Sequence, residues 1–174
     1  MTINHDLIEK LQHILKKYSK DDQKIMAQWA TDCAERVLSF FEDIYPGDNR
    51  PRKALETCRT WISTGVFKMA DIRGASLAAH AAARNAKENP KACFAARAAG
   101  QAVATAHVPQ HAYGGAYYAL KAIAVSDSFE TVMKEYAWQS QNLPIHLRQE
   151  IMNRIKIEKL TNGISIKLIK DNNF

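Results

Sequence analysis

The side chains able to do chemistry in this sequence sit where helix packing leaves them least room. From Ala75 to Ala124, twenty of fifty residues are Ala, and among them stand His80, Arg84, Arg97, Gln101, His107, His111, Tyr117, Tyr118 and Lys121. Ala is the best helix former, and its small side chain lets helix backbones approach closely. A closely packed helical layer has little room for solvated long side chains, and a buried charge without a partner is costly. These groups therefore either tie to one another or line a pocket.

Spacing sorts them into faces. Arg73, His80 and Arg84 lie seven and four residues apart and share one side of a helix. Arg97 and Gln101 share a side of the next helix, and His107, His111, Tyr118 and Lys121 form a stripe on a third if the kink at Pro109 keeps phase. Upstream lie Asp32, Glu35 and Arg36, with Asp32 and Arg36 an i,i+4 pair; Arg50 and Arg52 follow, and Arg52 pairs in the same way with Glu56.

Three kinds of chemistry fit such a set. A zinc site could use His107 and His111, four residues apart, with Asp32 or Glu35 completing it. Pro109 lies inside that pair and the sequence has no HExxH, so neither metal nor cofactor is expected. A His beside a carboxylate such as Asp32 suits general acid–base work, which makes a small-ligand or metal-binding enzyme the alternative function. The third use is a pocket for a small anion or a surface read by a protein partner. In every case Asp32, Arg36, His80, Arg84 and His107 are expected to converge, and Asp32→Ala to cost about 2–4 kcal/mol. The standard catalytic motifs are absent: there is no GxxxxGK[ST], no GxSxG and no GxGxxG after a strand. Gly114-Gly115 reads as a point of close helix packing.

The elements that must position these residues read as helices throughout. Apolar periodicity, caps and prolines predict helices over about 5–18, 19–45, 50–63, 67–86, 90–106, from near His107 to Val125, 129–141 and 145–160. Ser19, Asn89 and Ser128 read as N-caps, and Pro51 and Pro90 as first-turn prolines. The expectation is one all-α domain over 1–174, a bundle of seven or eight helices. Its core is expected to hold Trp29, Val37, Phe40, Leu55, Ile62, Leu77, Val103, Leu120 and Ile123. The β-branched tail Ile164–Ile169 reads as a short edge strand or an apolar arm.

Composition narrows the class. At 174 residues and 47% hydrophobic, the chain can bury a sizeable core, and it lacks the long apolar run of a membrane span. The N-terminus lacks the pattern of a signal peptide, and the reading is cytoplasmic. Cys33, Cys58 and Cys93 are odd in number and far apart, as expected of buried thiols in a reducing compartment. The net charge of +6 is spread along the chain with no dense basic block, so nucleic acid is not the expected partner.

The order of several blocks carries a resemblance. The run Trp29–Leu38 (WATDCAERVL) is followed by Asp48–Ala54 (DNRPRKA), Ala78–Arg84 (AAHAAAR), Ala95–His107 (AARAAGQAVATAH) and His111–Lys121 (HAYGGAYYALK). Together, over about residues 25–125, these resemble the all-α proteins classed as immunity family five of bacterial polymorphic-toxin systems. The resemblance implies a non-catalytic protein that protects the producing cell by binding a cognate toxin domain. It supplies no catalytic residues. Inhibitors of nuclease toxins are often acidic mimics of nucleic acid, so a basic chain favours a different or acidic toxin.

Overall fold

The computed structural model describes residues 17–170. The helix expected over 5–18 lies, up to residue 16, outside the described residues. Seven helices and two strands follow in chain order. Helix α1 spans Lys20–Glu42, α2 Arg50–Thr64, α3 Met69–Asn85, α4 Pro90–Ala104, α5 His111–Ala124, α6 Phe129–Gln141 and α7 Ile145–Met152. Strands β1 (Ile155–Leu160) and β2 (Gly163–Leu168) close the described chain.

The caps act where the sequence places them. The side chains of Ser19, Asn89 and Ser128 accept from the backbone N–H of Asp22, Ala92 and Thr131, opening α1, α4 and α6. Gly65 ends α2 at φ 69°, a left-handed conformation that favours glycine.

Helix α4 is the hub, packed against α1, α2, α3 and α5. A helix covered on several sides must be apolar nearly all round, and its buried set is small: Ala92, Cys93, Ala95, Ala96, Ala98, Ala99, Gly100, Ala102 and Val103. Glycines set the closest approaches. A Cβ on Gly100 would lie 2.9 Å from the His80 ring, one on Gly114 2.7 Å from Gln101 Oε1, and one on Gly115 3.1 Å from Ala30 Cβ. The Gly114-Gly115 pair is thus a packing feature between α5 and its two neighbours.

Larger side chains fill the space on either side. Met26, Trp29, Val37, Leu38 and Phe41 of α1, Leu55 and Trp61 of α2, and Tyr113 and Leu120 of α5 are buried. Trp29 Nε1 donates to the Gln139 carbonyl at 2.8 Å and so ties α1 to α6. Of the expected core, Phe40 and Ile62 pack only partly buried against it, and Leu77 is 55% exposed. Leu77 lies opposite the buried face of α3, which is Ile72, Ala79, Ala82 and Ala83. On this helix the small residues do the packing.

The C-terminal part departs from the expected eighth helix. Helix α7 stops at Met152, and the chain then forms an antiparallel hairpin. Its register pairs Ile155 with Leu168, Ile157 with Ile166 and Lys159 with Ile164. That alternation gives one apolar face, on which Ile155 and Ile166 are buried, and β2 packs against α5. Gly163, at φ 141°, follows the Thr161-Asn162 turn, so the Asn-Gly pair closes a hairpin rather than ending a helix.

Candidate functional site

The acidic and basic residues near α1 form structural ion pairs. Glu35 Oε1 lies 3.2 Å from Arg52 Nη1, and Glu35 Oε2 lies 3.0 Å from Arg59 Nη2. Arg52 also donates to Glu42, from Nη2 at 2.8 Å. Arg52 therefore clips α2 to α1 and does not face Glu56. Its guanidinium holds the Glu42 carboxyl below the usual range. Arg50 is paired locally with Asp48, its Nε donating to Oδ1 at 2.8 Å.

Arg36 does not pair with Asp32. It reaches across to α6, where its Nε donates to both Glu135 oxygens at 3.0 Å and its Nη2 lies 2.9 Å from Oε2. The same guanidinium lies 3.9 Å from the centre of the Trp138 ring. Glu135 is buried, so it depends on this partner. Asp32 instead accepts from Gln28 Nε2 at 2.7 Å.

This geometry changes what Asp32 should do. Burial pushes its carboxyl above the usual range, against the Gln28 hydrogen bond and the nearby Arg59. A raised pKa means that the folded state holds the proton more tightly than the unfolded chain. The ionised group therefore weighs against folding at neutral pH, and that penalty fades as pH falls through the carboxylate range. Asp32→Asn is expected to change stability by less than about 0.5 kcal/mol at pH 7. Any change should be a gain, smaller at pH 4 than at pH 7. Urea midpoints at the two pH values test this, and a loss at pH 7 of more than about 1 kcal/mol would contradict it.

The second group does come together, on α3, α4 and α5. The His80 ring packs on Gly100, and Ser76, one turn earlier, donates from Oγ to the Gly100 carbonyl at 2.9 Å. His80 Nδ1 is buried without a hydrogen-bond partner. Burial, and then the charges of Arg97, His111 and Arg84, hold this ring below the ordinary imidazole pKa. His111 Nδ1 donates to Gln101 Oε1 at 2.8 Å, and burial with His107 and Lys170 nearby lowers its pKa as well. The convergence expected of five residues is thus partial. His80 and Arg84 stand with Arg97 and His111, while Asp32 and Arg36 belong to other contacts.

His107 lies in the turn between α4 and α5 and is exposed. Pro109 sits in that turn rather than inside a helix, so His107 and His111 are not on one helical face. Among the described residues, no three His, Cys, Asp or Glu side chains form a group that could hold a metal ion. No carboxylate figures among the charges acting on His80 or His111.

Next to the imidazoles lies an aromatic and cationic patch. Phe94 and Tyr118 stack with centroids 6.1 Å apart, and Tyr117 meets Tyr118 edge-on at 5.0 Å. Arg97 lies 5.8 Å from the Tyr118 centroid, and Lys121 lies 4.5 Å from Phe94 and 5.4 Å from Tyr117. All five side chains are partly exposed. Phe94 is not among the residues singled out by sequence. The signal for it is its position three residues before Arg97, on the same helical side.

Charge on this face is one-sided. Between Asp71 and Asp127 the sequence has one acid, Glu88, against Arg73, Arg84, Lys87, Lys91, Arg97 and Lys121. Lys87 pairs with Glu88, and Lys91 with Asp127 at 3.2 Å. Among the described residues, Arg73, Arg84, Arg97 and Lys121 meet no carboxylate. Elsewhere, a depression of about 220 Å³ lined by Thr57, Thr60, Trp61, Val66, Lys68, Asp71 and Ile72 separates α2 from the start of α3. It contains none of the residues expected to form a site.

A family model described as "Imm-5 like putative immunity protein" matches residues 16–146. The chain belongs to this family. The match runs from before α1 into the start of α7, beyond the 25–125 span of the sequence resemblance. It takes in the whole α3–α5 face and leaves out the hairpin. No curated protein and no solved structure matches the chain. Among the described residues of this Imm-5 like protein, no helix is long and apolar enough to cross a membrane.

Proposed function

We propose that this Imm-5 like protein is a bacterial, cytoplasmic immunity protein that binds and neutralises a cognate toxin domain without catalysing a reaction. Family membership over residues 16–146 carries the reading. The α3–α5 face supports it, because it offers aromatic rings and cations without carboxylate partners, the side chains that interfaces favour at their centres.

Co-expression tests the proposal. The toxin domain encoded in the neighbouring reading frame is induced with and without this protein. Rescue of growth, and a complex that survives gel filtration, are expected. Toxicity that the protein leaves unchanged, with no complex formed by the purified pair, would overturn it.

A further inference from the structure

We infer that the outer surface of α3, α4 and α5 is a docking face for a carboxylate-rich surface of a protein partner, centred on Phe94, Arg97, Tyr117, Tyr118 and Lys121. The identity of the partner rests on the toxin-binding reading; the place and the chemistry rest on the geometry.

Three observations carry the inference. The first is charge complementarity. The chain from Ile72 to Ser126 has one acid, Glu88, itself paired, and leaves Arg84, Arg97 and Lys121 without carboxylates of their own among the described residues. Such a face draws in acidic surfaces and repels basic ones.

The second is composition. Phe, Tyr and Arg are enriched at the centres of protein interfaces, where a ring fills a pocket and a guanidinium meets a carboxylate in a bidentate pair. Here the rings touch one another and the cations sit against them. The patch is therefore one contiguous unit rather than scattered exposed residues.

The third separates protein from nucleic acid. A base-stacking platform needs an open ring face. On this surface Phe94 is already stacked on Tyr118 and lies 4.5 Å from the Lys121 ammonium, and Tyr118 is approached by both Arg97 and Tyr117. The rings are engaged with their neighbours, while the cationic head groups have no carboxylate to meet.

Two arms test the docking face. In the first, poly-L-glutamate is titrated into the isotopically labelled full chain at low ionic strength, with a single-stranded oligonucleotide run in parallel. Amide shifts are expected to cluster on α3–α5 with poly-L-glutamate. The double variant Arg97→Glu/Lys121→Glu should lose at least about tenfold in affinity, whereas Lys53→Glu/Lys156→Glu, with the same charge change on exposed positions elsewhere, should lose far less. Shifts that map elsewhere, equal losses in the two variants, or binding by the oligonucleotide alone would overturn the inference.

In the second arm the same variants face the neighbouring toxin domain. Wild-type protection that fails in Arg97→Glu/Lys121→Glu supports the face. Full protection by that variant overturns the docking face and leaves the immunity reading standing. If wild type does not protect but poly-L-glutamate still maps to α3–α5, the immunity reading falls and the acid-binding face stands. Circular dichroism checks the fold of each variant. Arg84→Glu, on the exposed side of α3, gives a second readout with an expected loss of several-fold, independent of the aromatic packing.

Discussion

Replacing Arg36 with Ala is expected to destabilise the fold by about 2–3 kcal/mol. The substitution leaves the Glu135 carboxylate, 6% exposed, without the three contacts that now satisfy it. It also removes the cation from the Trp138 ring, 3.9 Å away. Arg36 is itself 43% exposed, which keeps the figure below that of a fully buried pair. Urea unfolding measures the loss. Glu135→Gln is expected to cost less, because an amide still accepts from Arg36 and carries no charge to strand. Restoring much of the stability in Arg36→Met/Glu135→Leu would confirm that the loss comes from an orphaned charge. A loss below about 0.5 kcal/mol for Arg36→Ala would mean that solvent reaches Glu135 freely.

Gly115→Leu is expected to cost about 3 kcal/mol, at the upper end for overpacking. A Cβ at this position already lies 3.1 Å from Ala30 Cβ and 3.5 Å from the Ala30 carbonyl oxygen. Those atoms belong to the α1 backbone and its first side-chain carbon, so they cannot rotate away. A larger side chain must push α1 and α5 apart. Gly115→Ala separates the two forces at work. The gain in helix propensity, up to about 1 kcal/mol, offsets the tight contact, and the net change should be near zero. Gly74, in the middle of α3, supplies the control, because a Cβ there would meet nothing within 4 Å. Gly74→Ala should stabilise by up to about 1 kcal/mol. If Gly115→Leu and Gly74→Leu unfold at the same urea concentration, the α1–α5 spacing is not set by Gly115.

The helix ends are legible in the sequence because their signals are local. Ser19, Asn89 and Ser128 cap the next turn of their own chain, and Pro51 and Pro90 need only their fixed φ. The hairpin is harder to read. Ile151 and Ile155 are four apart and fit a helix, whereas Ile155 with Ile157 and Ile164 with Ile166 fit a strand. Short apolar runs satisfy both periods.

The site divides in the same way. Arg97 and Gln101 share a side of α4 by spacing alone. Arg36 and Glu135 are 99 residues apart, and no spacing rule reaches that far. Asp32 and Arg36 have the correct i,i+4 interval, yet Arg36 turns to Glu135 on α6, because a short pair on one helix gains little beside a tertiary contact to a buried carboxylate, and Asp32 is left to Gln28, one turn earlier on its own helix. Leu77 misleads for a related reason. A large apolar residue suggests the core, but the buried side of α3 is built largely of small residues, Ala79, Ala82 and Ala83, where a leucine would hold the helices apart.

The Ala-rich layer also bears on how the α3–α5 face meets another molecule. An alanine has no rotamers to give up, so the layer beneath the patch orders with almost no loss of side-chain entropy and has no alternative packing to explore. The His80 ring and the Gln101 side chain fill the space over Gly100 and Gly114, where a Cβ would lie 2.9 Å and 2.7 Å from them. Such a support cannot reshape itself around a visitor. Selectivity must then come from the fit of a preformed surface, and little free energy is spent on reorganising it when contact is made.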